Sequence, residues 1–340
     1  MTGLLLRRLG PTLLGGCFAL GIVPHPLVAE ELRIGFVAPT TGIFAQVGKD
    51  MIDGFQMYLD EVKNDFGGAQ VKFLVEDEQA KPDTAVTKAK KLILQDKVHM
   101  LVGGLLASSG YALAPVSTAE KTLYVVPVSA ADDLTQRDLP KYPYLIRTGW
   151  SSSQPSHPFG QWACDQGYKK PILGGGTSYD EFVLPSMGDE VIGDVSALQY
   201  SAALETPKNE AFVKKYRTKY GKVPSYYSET NYTSAQMIDE VIRKNGGKFP
   251  GAEEFIKQLA AMKFDTLRGP VAFDDMRNPV QNIYIKKVEK KKMFGYDKEE
   301  LWNAVIKTYP NVGQFWTYGK DTFLKQPVYS RDFPPCKFCE

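Results

Sequence analysis

Short apolar runs alternate with amphipathic stretches along the first half of the chain. Residues 32–37 form a β-rich apolar run, and an apolar stripe at helical spacing follows over residues 51–62. Apolar and polar residues alternate over 71–75, and two more apolar runs cover 98–102 and 123–128, with helical patterns between them. Strands that alternate with helices through short joins predict a parallel, doubly wound sheet with helices on both faces.

The pattern changes near residue 148, where the chain is expected to leave this first sheet. A polar stretch at 151–156 opens the new region, and five lysines between 286 and 292 surround Glu289, which is typical of a solvated hairpin. We expect helices at about 157–166, 209–220, 232–244 and 252–262, and strands at 171–173, 195–200, 271–273 and 282–288, whereas 301–307 is too short to assign to either type.

The first 29 residues have the order of a secretory signal. Arg7 and Arg8 precede an apolar stretch that is broken by glycine and proline, and Ala29 is the small residue expected before a cleavage site. The stretch is too interrupted for a good membrane-spanning helix, so we expect an exported protein of the periplasm. The residues up to Cys17 also resemble a lipoprotein signal in which Cys17 is acylated, and this is the alternative.

The remaining cysteines are consistent with an oxidising compartment. Cys336 and Cys339 form a C-x-x-C pair near the end of the chain, for which a redox site, half of a zinc site and a small disulfide loop are all open. We expect the disulfide, because the sequence has no second C-x-x-C pair. Cys164 stands alone and is expected to pack as a small apolar group.

Composition and charge exclude several classes of function. The 340 residues are 43% hydrophobic and 24% charged, which is ordinary for a globular protein. Removing Arg7 and Arg8 with the leader leaves equal numbers of basic and acidic residues, so no net field attracts nucleic acid or an anionic membrane. The sequence has 3 histidines and no nucleophile elbow, zinc-protease or phosphate-loop motif. We therefore expect a binding protein without cofactor, metal or catalytic residues, and an exported hydrolase is the weaker alternative.

Two loops carry the candidate chemistry. Residues 103–110 run from a predicted strand into a helix and contain Ser108 and Ser109, and residues 127–131 leave the next strand with Ser129. In an open parallel sheet, these loops lie side by side outside the carboxyl ends of the strands. Capping of the helix by Ser108 and Ser109 is one explanation of the two serines. The other is a seat for a carboxylate, which free amide groups and the positive end of the helix dipole would bind.

Several landmarks occur in the same order as in a known family. They are the opening runs 34–39 and 42–48, the loops 102–109, 127–131 and 134–136, Arg147-Thr148 before 152–154, the segments 219–221 and 223–227, and Arg268-Gly269-Pro270-Val271. With them, the chain resembles the periplasmic substrate-binding proteins of ABC importers in the leucine/isoleucine/valine-binding class, a family that includes binders of aromatic acids and amides. The landmarks span nearly the whole chain after the leader, so they are specific to the family and not to a ligand.

The resemblance implies an α/β protein with two Rossmann-like lobes, each with a parallel sheet, which three crossings join and which close on a ligand. Lobe 1 would comprise 31–148 and 204–276, and lobe 2 would comprise 149–203 and 277–340. The implied function is capture of a small carboxylate-bearing ligand (a branched-chain amino acid, an aromatic acid or a short amide) and its delivery to an ABC permease and its ATPase. We expect a monomer with no nucleic-acid partner.

The resemblance also implies ligand-binding positions. Those that would hold the carboxylate and amino group of the ligand lie in the two loops, and an aromatic wall position falls at Val47, with Phe44 as a nearby substitute. Tyr232 matches an aromatic contact at the start of a helix, although ordinary packing is the alternative for it and for Phe44. The candidate loop residues are Ala107, Ser108, Ser109, Val128, Ser129 and Ala130.

Lobe 2 departs from the family pattern. Relatives usually place two βα units between a segment like 167–170 and one like 171–174, and here the two segments abut, a loss on the order of 60 residues at roughly 30 per unit. Those units would carry two aromatic ligand contacts. Thr177 matches a region where amino-acid binders carry a glutamate, so amino-acid specificity requires Asp180 or Glu181 to reach the ligand. A degraded or specialised member that acts as a non-transport sensor or interaction protein is therefore the alternative function.

Overall fold

The computed structural model describes residue 2, residues 31–168 and residues 175–327. The leader with Cys17, the strand expected at 171–173 and the Cys336–Cys339 disulfide lie outside the described residues and stay predictions. Within the described segments, no helix combines the length and the apolar character that crossing a bilayer requires.

The first half of the described chain forms a six-stranded sheet. Its strands are β1 (Glu31–Ala38), β2 (Asp65–Phe66), β3 (Ala69–Asp77), β4 (Met100–Gly103), β5 (Leu123–Val126) and β6 (Leu145–Arg147). They stand in the order β2-β3-β1-β4-β5-β6. β1 pairs in parallel with β3 and β4, and parallel pairing continues from β4 to β5 and from β5 to β6, whereas the two-residue β2 is antiparallel to β3.

Helices cover both faces of this sheet. The side chain of Val37 packs on one face in a buried cluster with Leu113, while Phe36, one residue earlier, packs on the other face in a cluster with Phe55 and Ile238. The predicted doubly wound arrangement is therefore confirmed for this sheet. The helices of the described chain are α1 (Ala45–Glu61), α2 (Pro82–Lys90), α3 (Ala107–Ala119), α4 (Ser153–Asp165), α5 (Pro207–Tyr220), α6 (Tyr226–Lys244), α7 (Ala252–Ala261) and α8 (Lys320–Lys325).

The second sheet differs from the parallel sheet expected for lobe 2. Its strands are β7 (Val195–Leu198), β8 (Phe264–Thr266), β9 (Gly269–Phe273), β10 (Pro279–Lys291) and β11 (Glu300–Val312). The order is β11-β10-β9-β8, with β7 beside β10, and every described pairing is antiparallel. Short turns join β8 to β9, β9 to β10 and β10 to β11, and a short connection permits only antiparallel pairing.

The chain passes between the two sheets three times. It leaves the first sheet after β6 and reaches the second through α4 and β7. It then returns with α5, α6 and α7, of which α6 packs along α1, and crosses again into β8. Strands β8 and β9 lie within the range 204–276 that was expected in lobe 1, but they pair in the second sheet.

Several elements and residues differ from the sequence-based expectations. Segment 301–307 is a strand within β11, and the helix expected at about 157–166 begins earlier, at Ser153, so that His157 lies within α4, where burial lowers the pKa of its imidazole. Cys164 is exposed near the end of α4, so the expectation of apolar packing was wrong. The β10–β11 hairpin is present, but Lys286 within it is fully buried, near the buried carboxyl group of Asp180.

Candidate functional site

The loops after β4 and β5 lie side by side at the carboxyl edge of the first sheet. A Cβ atom added to Gly110 would lie 2.2 Å from Ser129 Oγ and 2.9 Å from Leu134 Cδ1. Only glycine therefore allows α3 to approach the 127–131 loop this closely. The parallel order of β4 and β5 is the reason that the two loops meet.

The start of α3 is open to solvent. Ala107 and Ser108 are exposed, and the N-cap residue is Leu106, whose side chain has no group that can accept a hydrogen bond. Ser108 and Ser109 lie inside the first turn, so in the described structure neither serine caps the helix. The first N–H groups of a helix have no intrahelical partner, and they carry the positive end of the helix dipole. The capping explanation of the two serines therefore does not apply.

A buried carboxyl group lies beneath this helix start. Glu78 follows β3 directly, and its Oε1 accepts a hydrogen bond of 2.8 Å from the N–H of Leu105. Burial raises the pKa of Glu78, while the N–H of Leu105 and the hydroxyl of Ser109 act to lower it. The sequence analysis did not single out Glu78, although an acid directly after a strand of the parallel sheet is a signal that could have identified it.

Arg147 holds the neighbouring loops in place. Its guanidinium donates to the carbonyl oxygens of Ser129 at 3.1 Å, Trp150 at 2.7 Å and Ala131. Burial lowers the pKa of Arg147 to about 10, and the nearby carboxylate of Asp132 opposes this change. A buried cation that binds three carbonyl groups fixes the backbone that carries them. Because these carbonyls lie after β5 and after β6, Arg147 positions the loops that follow both strands.

The structure buries part of the predicted loop site. Val128 and Ser129 are buried, and Ser129 Oγ finds no hydrogen-bond partner among the described residues. Ala130 is half-buried, and its carbonyl accepts hydrogen bonds from the N–H and the hydroxyl of Ser152, each 3.0 Å long. Of the predicted loop residues, Ala107, Ser108 and Ala130 are therefore the ones that a ligand could reach in this conformation.

The two predicted aromatic contacts have different surroundings. Phe44 is the half-buried N-cap residue of α1, next to Ile43, which is 93% exposed. Tyr232 packs against Tyr58 and Phe212 at 5.2 and 4.9 Å between ring centres. The prediction that Tyr232 begins a helix was wrong, because α6 begins at Tyr226 and Tyr232 points into this aromatic cluster.

Two other aromatic residues, Trp150 and Tyr226, are connected to the 127–131 loop through Arg147. Tyr226 begins α6, and its ring meets that of Trp150 edge-on at 6.0 Å between centres. Trp150 in turn follows β6 and is held by Arg147 through its carbonyl. Sequence reasoning missed both residues because they lie in different parts of the chain, and their contact depends on the packing of α6 along the first sheet.

Thr177 and the acids after it lie beside the second sheet. Thr177 lines a small cavity of about 170 Å³ together with Trp150 and Phe159. Asp180 is buried at the start of α6, where its carboxylate accepts a 3.1 Å hydrogen bond from the N–H of Tyr226. Burial and the neighbouring Glu181 raise the pKa of Asp180 well above its usual range.

A buried ion pair joins α6 to the second sheet. Arg268 Nη1 donates to both oxygens of Glu229 at 3.1 Å, and its Nε donates to Gln281 Oε1 at 2.7 Å. Arg268 Nη2 donates to the carbonyl of Thr148 at 2.7 Å. One side chain therefore links α6, β10 and the chain crossing that follows β6.

The groups exposed at this site are hydrogen-bond donors. The exposed start of α3 presents amide N–H groups and the Ser108 hydroxyl, which suit an anionic headgroup. In the described chain, no group of three or more His, Cys, Asp and Glu side chains is arranged to hold a metal ion.

Comparisons with known proteins bear on the family and on the shortened region. The profile of the periplasmic binding protein family matches residues 31–173 and 164–292, two segments that overlap at 164–173, where two βα units were expected to be missing. The chain is 22% identical to Leu/Ile/Val-binding protein homolog 6 of Brucella abortus (strain 2308), over 84% of this chain and 93% of the relative. That alignment has 373 positions against 340 residues here, so the relative carries residues that this chain lacks.

Solved structures share the fold. A solute binding protein of an ABC transporter from Rhodopseudomonas palustris BisB5, in complex with 3,4-dihydroxybenzoic acid, has a TM-score of 0.77 and 24% identity, covering 84% of this chain and 98% of that chain. The branched-chain amino acid transporter substrate binding protein LivJ from Streptococcus pneumoniae, in complex with isoleucine, has a TM-score of 0.64 and 18% identity, covering 80% and 99%. At sequence identities of 24% and 18%, these comparisons show a shared fold.

Proposed function

Since this chain belongs to the periplasmic binding protein family, we propose that it is the solute-binding component of an ABC importer. It captures a small carboxylate-bearing ligand and delivers it to a permease and its ATPase. The observation that carries this proposal is the exposed, uncapped start of α3, which lies against the loop of Ser129 at the carboxyl edge of the first sheet. Free amide N–H groups and hydroxyls at this edge suit a carboxylate.

The ligand class follows from the headgroup. The similar structures from R. palustris and S. pneumoniae hold 3,4-dihydroxybenzoic acid and isoleucine, and these two ligands share a carboxylate. We propose aromatic acids, branched-chain amino acids and short amides as the ligands to test here. Ala107, Ser108 and Ala130 contact the headgroup, the buried Ser109, Val128 and Ser129 support them from beneath, and Phe44 lies at the rim. Tyr232 is a weaker candidate because its ring packs against Tyr58 and Phe212.

Closure of two lobes is the proposed mechanism. The first lobe is built on the six-stranded sheet and the second on the antiparallel sheet, with the three crossings as the hinge. The ligand binds the first lobe, the second lobe closes over it, and the closed form docks on the permease. We propose that the protein works in the periplasm after its leader is removed, and that Cys336 and Cys339 form a disulfide there.

Titration of the purified chain with the three ligand classes tests this function. Calorimetry is expected to give saturable binding of at least one carboxylate. Replacing Ser108 and Ser129 together by alanine is expected to weaken it by about 1–3 kcal/mol, because the ligand loses the exposed hydroxyl of Ser108 and the loop beneath it loses the buried hydroxyl of Ser129. Ser186→Ala, which removes an exposed hydroxyl elsewhere, is the control. No binding by any of the three classes would contradict the proposal.

Scattering separates transport from the alternative of a sensor or interaction protein. A receptor that closes on its solute becomes more compact when the ligand is added. A specialised member that does not close gives the same scattering curve with and without ligand. The shortened second lobe is the observation that favours testing this alternative.

A further inference from the structure

Glu78 lies beneath the helix start that is proposed to bind the carboxylate of a ligand. Its side chain is fully buried, and Oε1 accepts a hydrogen bond from the N–H of Leu105, two residues before α3 begins. Its backbone N–H donates to the carbonyl of Ala38, the last residue of β1, at 3.1 Å. These two hydrogen bonds fix the carboxyl group at the carboxyl edge of the first sheet, close to the first turn of α3.

The other oxygen of this carboxyl group has no hydrogen-bond donor. Within residues 31–168 and 175–327, neither Glu78 Oε2 nor the hydroxyl of Ser109, in the first turn of α3, makes a hydrogen bond. Burial raises the pKa of Glu78 more than the N–H of Leu105 and the hydroxyl of Ser109 lower it. An ionised oxygen that is buried without a full set of donors is costly, so the surroundings favour a proton on Oε2.

No cation is found among the described groups that act on the Glu78 carboxyl. Asp77, its neighbour in β3, acts to raise the pKa of Glu78 further. Tyr124 in β5 is buried and its own pKa is raised by burial and by Glu78, while Arg147, which acts on Tyr124, is bound to three carbonyl groups. Lys81, before α2, is exposed, and its backbone N–H donates to the carbonyl of Glu78 at 2.9 Å. An ionised Glu78 would therefore be a buried charge without a counter-ion among these residues.

An ionised Glu78 would also oppose the binding of a carboxylate above it. The ligand is proposed to bind the amide N–H groups at the positive end of the α3 dipole. A negative charge beneath the same turn repels the ligand and is attracted by the same dipole. A neutral Glu78 keeps its hydrogen bond from Leu105 and adds no charge. The bound carboxylate and the proton on Glu78 therefore favour each other.

We propose that Glu78 is a positioning residue that holds a proton whenever a carboxylate occupies the start of α3. The proton is on Oε2, while Oε1 keeps its hydrogen bond from Leu105, so the loop before α3 keeps its conformation. When Glu78 loses this proton to water, the carboxylate binds more weakly. The proposal rests on the proposed function and adds to it a dependence of ligand affinity on pH.

Titration at several pH values tests this role of Glu78. The full chain is titrated by calorimetry with isoleucine and with 3,4-dihydroxybenzoate from about pH 5 to about pH 8, a range in which the carboxylates of both probes stay ionised. The affinity for a probe that binds is expected to fall at least about fivefold across this range, because the empty site releases the Glu78 proton more easily than the occupied site. A constant affinity would overturn the proposal.

The variant Glu78→Gln assigns the pH dependence to this residue. The amide has the shape of the neutral acid, its oxygen can accept the N–H of Leu105, and it does not titrate. We expect the variant to show a constant affinity over the range and to bind the probe at least about fivefold more tightly than the parent at about pH 8. A merely structural role of Glu78 predicts weaker binding at every pH with the slope of the parent retained, and that result would overturn the proposal.

Glu120→Gln is the matched control, since Glu120 is an exposed carboxylate at the C-cap of the same helix. Its fall in affinity with pH is expected to stay within about twofold of that of the parent. If Glu78→Gln does not fold, Ser109→Ala tests the same point. Because the hydroxyl of Ser109 acts to lower the pKa of Glu78, this variant is expected to move the fall in affinity to higher pH. A fall that stays at the same pH in Ser109→Ala would overturn the proposal.

The role of Glu78 and the proposed function fail in different ways. Binding of a probe with the same affinity at every pH would overturn the role of Glu78 and leave the proposed function standing. A fall in affinity that remains in Glu78→Gln would assign the proton to another group, with the same consequence. Binding of neither probe would contradict the carboxylate ligand on which both the proposed function and the role of Glu78 rest.

Discussion

The first sheet of this protein is mainly parallel and the second is antiparallel, and this difference determines where the loops of each sheet lie. In the first sheet, parallel strands bring their carboxyl ends to one edge, so the loops after β3, β4, β5 and β6 converge there. In the second sheet, antiparallel strands send successive loops to opposite ends. The first sheet therefore collects backbone groups for a headgroup, whereas the second contributes long strands with buried polar side chains that link it to the first.

The strongest effect is expected where the two sheets are joined. Arg268→Met leaves Glu229 as a buried carboxylate without its cation, and removing one partner of such a pair costs about 3–5 kcal/mol of unfolding free energy. Urea unfolding measures it. Glu210→Gln, which breaks an exposed ion pair with Lys214, is the control and is expected to cost at most about 1 kcal/mol. Equal effects of the two variants would mean that the junction is not held by this pair.

The next effect concerns the loops of the first sheet. Arg147→Lys keeps the charge but loses the planar donor set that reaches three carbonyls, and leaving a buried carbonyl unpaired costs about 1–3 kcal/mol. Carboxylate affinity should fall in the same variant, because the 128–131 loop is no longer fixed. Unchanged carboxylate binding would show that Arg147 does not position the loops that bind the carboxylate.

A smaller effect compares the cores of the two regions directly. Ile34→Val in β1 and Ile285→Val in β10 each remove one methylene group from a fully buried side chain, at a cost of about 0.5–1.5 kcal/mol. If the sheets unfold as one unit, each variant shifts a single urea transition by a similar amount. Two transitions, with each variant moving a different one, would show that the sheets unfold separately.

The smallest effect is a change in how stability depends on pH. Burial raises the pKa of Glu78, so the folded chain keeps a proton that the unfolded chain loses. Its contribution to stability is fully present below the unfolded pKa and is lost as pH rises through the folded pKa. Glu78→Gln is therefore expected to gain stability relative to the parent as pH rises from about 4 to 7. If the urea midpoints of Glu78→Gln and of the parent changed in parallel across that range, the raised pKa of Glu78 would be contradicted.

Much of the first region could be predicted from local patterns. Apolar runs and helical stripes identified β1, β3, β4 and β5, and the loops of Ser108 and Ser129 meet as parallel strands require. The second region was harder, since β10 pairs with the distant β7 as well as with β9 and β11, its neighbours in the chain. Alternating apolar residues indicate a strand, but they do not indicate its partner or its direction.

The candidate site was only partly predictable for a related reason. The loop serines could be found because they follow strands directly, whereas Glu78 beneath them, Arg147 beside them and the contact of Trp150 with Tyr226 depend on several elements at once. Tyr232, by contrast, was predicted as a ligand contact, and the structure packs it in an aromatic cluster. Its position in the helix was misjudged by six residues, and the rotation of α6 then placed its ring among Tyr58 and Phe212.

The sequence by itself determined the strand–helix alternation, the doubly wound first sheet and the family, because each depends on spacings and motifs that neighbouring residues carry. The tertiary structure decided the antiparallel second sheet, the Glu229–Arg268 pair and the burial of Ser129. These features join residues far apart in the chain. Their free energies arise from burial and from hydrogen bonds that form only when the elements have packed.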